Sequence, residues 1–254
     1  MQRLKDSWPA LAVIAALIAV WWAAVVVTRS AIFPTPWAVL TGTFELLEDG
    51  SLWRHIGASL MRVGAGFVLA VCVAVPLGLW MGWVRGAYRT LNPLFQILRP
   101  ISPIAWIPIA ILWFGVGDLA AVFLIFVTSF LALTVATMNA ARNVDATHVR
   151  AGRNFGLSER QLVFRVLCPA MMPRIGVALR ITLGVAWLVV VAAEMIAVRS
   201  GLGYLIVDAR NAGNRYDLVV GGMALIGMIG LALDTAMRRL ERLKSLRWGY
   251  EGAR

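Results

Sequence analysis

Long uncharged runs, separated by short charged stretches, set the pattern of this chain. Residues 7–28, 63–84 and 119–141 contain no Asp, Glu, Lys or Arg, and at ~1.5 Å per helical residue each can cross a hydrocarbon core ~30 Å thick. Residues 100–117 are also uncharged, but Pro100, Pro103 and Pro108 interrupt them. They predict a broken or kinked span, tolerable where neighbouring helices satisfy the freed carbonyls. Residues 175–198 include Arg180 and Glu194, and residues 218–237 include Asp234, so both read as spans with polar interruptions. The expectation is an all-α polytopic membrane protein with six transmembrane helices, a single domain over residues 1–254.

Shorter elements fill the gaps between spans. Thr35 followed by Pro36 reads as a helix cap and first-turn residue, and Trp37, Leu40, Phe44 and Leu47 recur at helical spacing through Glu48. This predicts a short interfacial helix, either a membrane-surface anchor or a brace for the carrier of a delivered ligand. Gly78 and Gly82 form a small-xxx-small pair suited to close helix packing inside the second span.

Residues 145–169 have a different character. Asp145 can cap a helix, Gly156 supplies a left-handed residue to end it, and Ser158 with Gln161 three residues on makes a capping box that starts a second helix. Pro169 and Pro173 are expected to stop that helix. Leu162, Val163, Val166 and Leu167 share one stripe of it, while Arg153, Arg160 and Arg165 keep the segment cationic. A basic helix-turn-helix between long apolar runs reads as a docking element at a membrane surface.

Composition and charge agree with a membrane location. Of the 254 residues, 60% are hydrophobic, well above an ordinary soluble domain. With the N-terminus in the cytoplasm, most of the 24 Lys and Arg fall on the cytoplasmic side: near the N-terminus, at Arg85 and Arg89, from Arg142 to Arg174, and in the tail. Arg29, Arg54, Arg62, Arg199, Arg210 and Arg215 fall outside, and Arg99 and Arg180 are embedded. That asymmetry fits the positive-inside rule, with both termini and the helix-turn-helix cytoplasmic. The net charge of +11 then reports topology and attraction to anionic lipid rather than nucleic-acid binding. The first apolar run is as long as a full span and lacks a clear small-residue cleavage site, so it reads as a retained helix.

No self-contained chemistry is evident. The chain has no Walker-type glycine loop to cradle nucleotide phosphates, so no catalytic residue and no cofactor is expected. Its two cysteines, Cys72 and Cys168, read as packing residues, and His55 and His148 fall on opposite sides of the predicted topology, which argues against a metal site. Arg180 and Glu194 are two ionisable groups inside one span, residues 175–198. Fourteen residues of helix put them on roughly one face but ~21 Å apart, too far to pair. Arg180 is a candidate for a positive charge on a translocation pathway and Glu194 for an outer gate. The competing reading has Arg180 snorkelling to the inner surface and Glu194 capping polar groups at the outer one.

The segment Arg150-Ala151-Gly152 through Gly156, ending Val166-Leu167-Cys168-Pro169, resembles the EAA loop of ABC importer permeases, the inner-membrane components of binding-protein-dependent transport systems. Further matches are Phe33-Pro34-Thr35-Pro36, Ser59-Leu60-Met61-Arg62, Leu98-Arg99-Pro100-Ile101-Ser102-Pro103, Ala193-Glu194-Met195 and Gly201-Leu202-Gly203-Tyr204. Together they are similar to the nitrate, sulfonate and taurine branch over residues 33–247. The resemblance implies a MetI-like permease fold and a homodimer in the bacterial cytoplasmic (inner) membrane. It also implies a separate ABC ATPase bound at the cytoplasmic coupling loop, residues 145–169, and an extracytoplasmic substrate-binding protein. Arg150, Ala151, Gly152, Gly156, Val166 and Pro169 are the coupling residues so implied. Arg150 stands where the family carries Glu, and Gly152 and Cys168 replace the second Ala and the Leu. Two other classes fit the residues without the resemblance: a self-contained secondary transporter, and a membrane-tethered DNA-binding regulator.

Overall fold

The computed structural model of the chain describes residues 8–28 and 32–241, and every regular element among them is helical. In order these are α1 (Trp8–Thr28), α2 (Pro36–Glu48), α3 (Ser51–Trp83), α4 (Arg85–Leu98), a single 3-10 turn (Pro103–Trp106) and α5 (Ile107–Phe114). There follow α6 (Asp118–Arg142), α7 (Ala146–Asn154), α8 (Glu159–Ala197), α9 (Leu202–Gly213) and α10 (Tyr216–Glu241). Four helices, α3, α6, α8 and α10, are long and apolar enough to cross a membrane, and the bent pair of α4 with Pro103–Phe114 makes a fifth. The hydropathy pattern predicts six. The additional one falls on α1, 21 apolar residues that lean mainly on α2.

The molecule is built around α3 and α6. Gly66, Ala70, Ala74 and Gly78 are buried on one stripe of α3, and a Cβ at Gly78 would stand 2.6 Å from the Thr134 carbonyl oxygen of α6. The Gly78 and Gly82 pair thus serves contact within the chain, letting two backbones approach where any side chain would hold them apart. Ile125 packs on the Gly66 position of this stripe, and with Leu124 it joins Ala186, Trp187 and Val190 of α8 and Leu202 of α9 in the main apolar core. Trp187 Nε1 donates to the Ile226 carbonyl at 3.0 Å, tying α10 to α8.

Three boundaries differ from those read in the sequence. The second span starts at Ser51, not near residue 63, because Arg54 and Arg62 sit within a helix that continues beyond the uncharged run. The broken span begins at Arg85 rather than at residue 100, and its halves meet at 93°. Pro100 and Pro103 cannot donate to a helical ladder, and Ser102 is extended (φ −58°, ψ 136°) before the 3-10 turn restarts the chain. Third, Pro169 and Pro173 do not stop α8, which runs unbroken from Glu159 to Ala197. A π-turn over Val163–Leu167 precedes them, with the Cys168 N–H donating to the Val163 oxygen. The wider turn relieves the clash between a proline ring and the preceding carbonyls, so the helix absorbs the prolines.

The interfacial helix α2 forms as predicted, with the Thr35 side chain accepting from the Ala38 N–H at 3.2 Å. Its buried face, Val39 and Gly42, lies on α10, while Trp37, Leu40 and Phe44 remain exposed. Arg215, one of the cations expected outside, bridges Asp217 and Glu45 at 2.9 and 2.7 Å. The hydrogen bonds that Arg215 donates to these carboxylates, Asp217 first, raise its pKa above the ordinary value.

Candidate functional site

The elbow between α6 and α8 follows from local chemistry. The Asp145 carboxylate accepts from the Thr147 N–H at 2.8 Å, and this bond holds its pKa below the usual carboxylate range. A depressed carboxylate stabilises the fold at pH values above the ordinary Asp range, and that contribution is lost as the pH falls through the lowered value. Gly156, at φ +75°, ends α7. Ser158 and Gln161 then form both bonds of a capping box and open α8. Gly152 is buried where α7 folds back on α8: a Cβ there would lie 2.6 Å from Leu162 Cδ2 and within 3.4 Å of Val166.

The six residues picked out in this segment therefore divide by position. Gly152, Gly156 and Val166 build the elbow, whereas Arg150, Ala151 and Pro169 face outward. The outward surface carries two large apolar groups that the sequence reading passed over, Phe155 at 87% exposure and Phe164 at 70%. Their signal was position alone: a Phe beside the turn glycine, and a Phe off the apolar stripe of the second helix. The Arg153 to Glu159 pair at 3.1 Å spans the turn and, being exposed, adds at most about 1 kcal/mol.

At the opposite end of the spans lies a buried ionic knot. Arg62 on α3 is 1% exposed. Its Nε and Nη2 donate to Asp118 Oδ1 at the start of α6, and its Nη1 donates to Glu194 Oε1 on α8 at 2.7 Å. The Ser200 backbone and hydroxyl oxygens accept from the same guanidinium. Ser59 donates to the Glu194 carboxylate at 2.8 Å and accepts from the Leu202 N–H, while the Gly203 N–H donates to Glu194 Oε2 at 3.0 Å. The second N–H of α9 thus points at a carboxylate, and the first reaches it through the Ser59 hydroxyl, an arrangement that a helix N-terminus favours. A Cβ on Gly201 would collide with the Glu194 carboxylate, and one on Gly203 with the Val191 carbonyl.

Replacing Gly203 with alanine is therefore expected to push α9 off α8 and cost about 1–3 kcal/mol through overpacking. Thermal unfolding in detergent would measure the loss, and limited trypsin digestion at Arg210 would report freed α9. Unchanged behaviour in both would contradict the close approach.

Arg180 and Glu194 share α8 but have separate partners. Glu194 belongs to the knot and is fully buried. Arg180 lies toward the elbow end, 3.6 Å from Asp234 and 3.3 Å from Glu241 of α10, and Asp234 also pairs with Arg238 at 2.6 Å. Arg62, which the cation distribution places outside, is buried within α3. The i, i+3 spacing of Ser59 and Arg62, which puts them on one helix face, was the available clue.

Comparison with known proteins agrees with this architecture. Residues 74–246 match the family described as binding-protein-dependent transport system inner membrane component. The taurine transport system permease protein TauC of Escherichia coli is 32% identical over 257 residues, covering 95% of this chain and 92% of that protein. The nitrate import permease protein NrtB of Synechocystis is 34% identical over 244 residues, covering 92% and 88% respectively. Among solved structures, the MetNI methionine ABC transporter in inward-facing conformations superposes with a TM-score of 0.68 at 20% identity, over 75% of this chain and 94% of that one; it shares the fold. The chain is a member of the binding-protein-dependent transport system inner-membrane component family, an ABC importer permease of the branch that holds its taurine and nitrate relatives.

Proposed function

We propose that two copies of this chain form the membrane-spanning part of an importer, with a separate ATPase docked on the elbow and an extracytoplasmic binding protein delivering solute at the end that holds the ionic knot. The whole chain acts as one transmembrane domain of six spans, with the elbow and both termini in the cytoplasm, as the distribution of cations supports. The solute is small and carries a sulfonate or is nitrate itself, in line with the names of the relatives. The observation that carries this reading is the continuity of α8: one helix runs from the capping box at the elbow to Glu194 in the knot. Nucleotide-driven closure of an ATPase gripping Phe155, Phe164, Arg150 and Ala151 would shift that rod as a unit and rearrange the spans around it. Arg180 and Glu194 then act within the moving spans as pins, each matched by opposite charge.

Co-purification tests the docking surface. Exposed aromatics at a docking point are the residues that dominate such interfaces, so Phe155→Ala with Phe164→Ala is expected to reduce retention of the ATPase about tenfold or more. Retention at the wild-type level would contradict it. Uptake into proteoliposomes separates the classes: dependence on ATP and on the ATPase fits the importer, whereas gradient-driven uptake by the chain alone would indicate a secondary transporter.

A further inference from the structure

Near the elbow, on the face shared by α6 and α8, two adjoining cavities have volumes of about 550 and 420 Å³. Asn143 and Arg174 line both; Asp145 and His148 border the first, and Asn139 the second. Arg174 is exposed and differs from Arg180, ~9 Å deeper along the same helix. Arg180 is matched by two carboxylates. Arg174 donates through Nη1 to the Asn143 backbone oxygen at 2.8 Å, and among the described residues it forms no ion pair. Asp145, the acid in the lining, has its carboxylate committed to capping α7. A guanidinium carries five N–H donors in a planar fork that matches an oxyanion, so most of those on Arg174 face the cavities without an anionic partner. The exposed side chains of Asn139 and Asn143 add amide donors beside them.

The same face of α8 leads away from this mouth. Arg174, Ile181, Val185 and Leu188 are exposed along one stripe. Leu188 and Ala192 line a third cavity, about 180 Å³ and apolar, which the break of the bent span covers with Ser102 and Pro103. Arg174 and Ala192 are five helical turns apart, ~27 Å, and point the same way. A polar mouth and an apolar chamber thus occupy the two ends of one exposed helix face.

We propose that the vestibule at Arg174 is a station for a small oxyanion, bound by the Arg174 guanidinium with the Asn139 and Asn143 amides, on the route of the transported solute. The assignment deepens the permease reading and rests on it for the word route. The site itself is tested without transport, by thermal unfolding of the purified full chain in detergent as methanesulfonate is titrated against chloride at equal ionic strength. Wild type is expected to show a saturable upward shift. Arg174→Ala should weaken the apparent affinity about tenfold, the scale of one charge-assisted bond, Arg174→Lys less so, and Arg89→Ala, which removes an exposed cation on α4, not at all. No saturable shift in wild type, or the same titration in Arg174→Ala, would overturn the station.

A lipid headgroup shares this chemistry, and a second arm separates the two sources. Methanesulfonate binding that vanishes in phosphatidylglycerol nanodiscs but persists in phosphatidylcholine, together with undiminished ATP-driven uptake of labelled taurine by Arg174→Ala, would make the site a lipid site and overturn its place on the route. Arg174-dependent binding in a complex that transports nothing would uphold the site and count against the permease reading.

Discussion

Replacing Arg62 with alanine is expected to destabilise the chain by about 3–5 kcal/mol, because it leaves Glu194 buried and uncompensated. The carboxylate would keep Ser59 and the Gly203 N–H but lose its only neighbouring cation among the described residues. Thermal unfolding in detergent and the yield of folded protein measure this loss. Where the variant is too unstable to purify, the double variant Arg62→Ala with Glu194→Ala provides the check. Residues in one network are not additive, so removing both charges should cost less than the sum of the single losses and restore some yield. Asp118→Asn should be far milder, since that side chain is 56% exposed and exposed pairs contribute about 0–1 kcal/mol. A loss below about 1 kcal/mol for Arg62→Ala would mean that the knot does not hold the ends of α3, α6 and α8 together.

Gly156→Val is expected to abolish ATPase association while the chain still inserts into the membrane. At φ +75° a β-branched residue is strained, and the left-handed conformation costs an ordinary side chain about 1–2 kcal/mol. Nothing lies within 4 Å of the position a Cβ would take, so the effect arises from the backbone and not from a clash. The chain can relieve the strain only by unwinding the last turn of α7, which moves Phe155 and separates Gly152 from Leu162. Because α8 begins its own capping box at Ser158, the span beyond should be unaffected. Pull-down of the ATPase, compared with membrane yield of the variant, reads the two consequences separately. Normal yield in both would show that the turn geometry does not govern docking.

Much of the elbow was legible because its signals are local. A cap at Asp145, a left-handed Gly156 and a Ser158 to Gln161 box act within four residues of themselves, and no distant contact competes with them. The prolines were misread for a complementary reason. Pro169 and Pro173 are helix breakers in isolation, but a π-turn one residue upstream, together with packing of Leu167 and Met171 against α6, lets the helix run through. The knot was illegible for the opposite reason: Asp118 and Glu194 lie 56 and 132 positions from Arg62 along the chain, and spacing along the chain carries no information about such partners.

Hydropathy and local capping by themselves determined that this protein lies in lipid as a bundle of apolar helices with a basic elbow between two of them, because burial of apolar surface and end-of-helix hydrogen bonds depend on neighbours along the chain. Only the tertiary structure decided which charges are neutralised. Arg62 passed from a supposed surface cation to the centre of a buried network, Arg180 found two carboxylates on α10, and Arg174 was left facing open cavities. The physical reason is that the cost of a charge in a membrane protein is set by the groups folding brings within a few ångströms of it, whatever their distance in sequence.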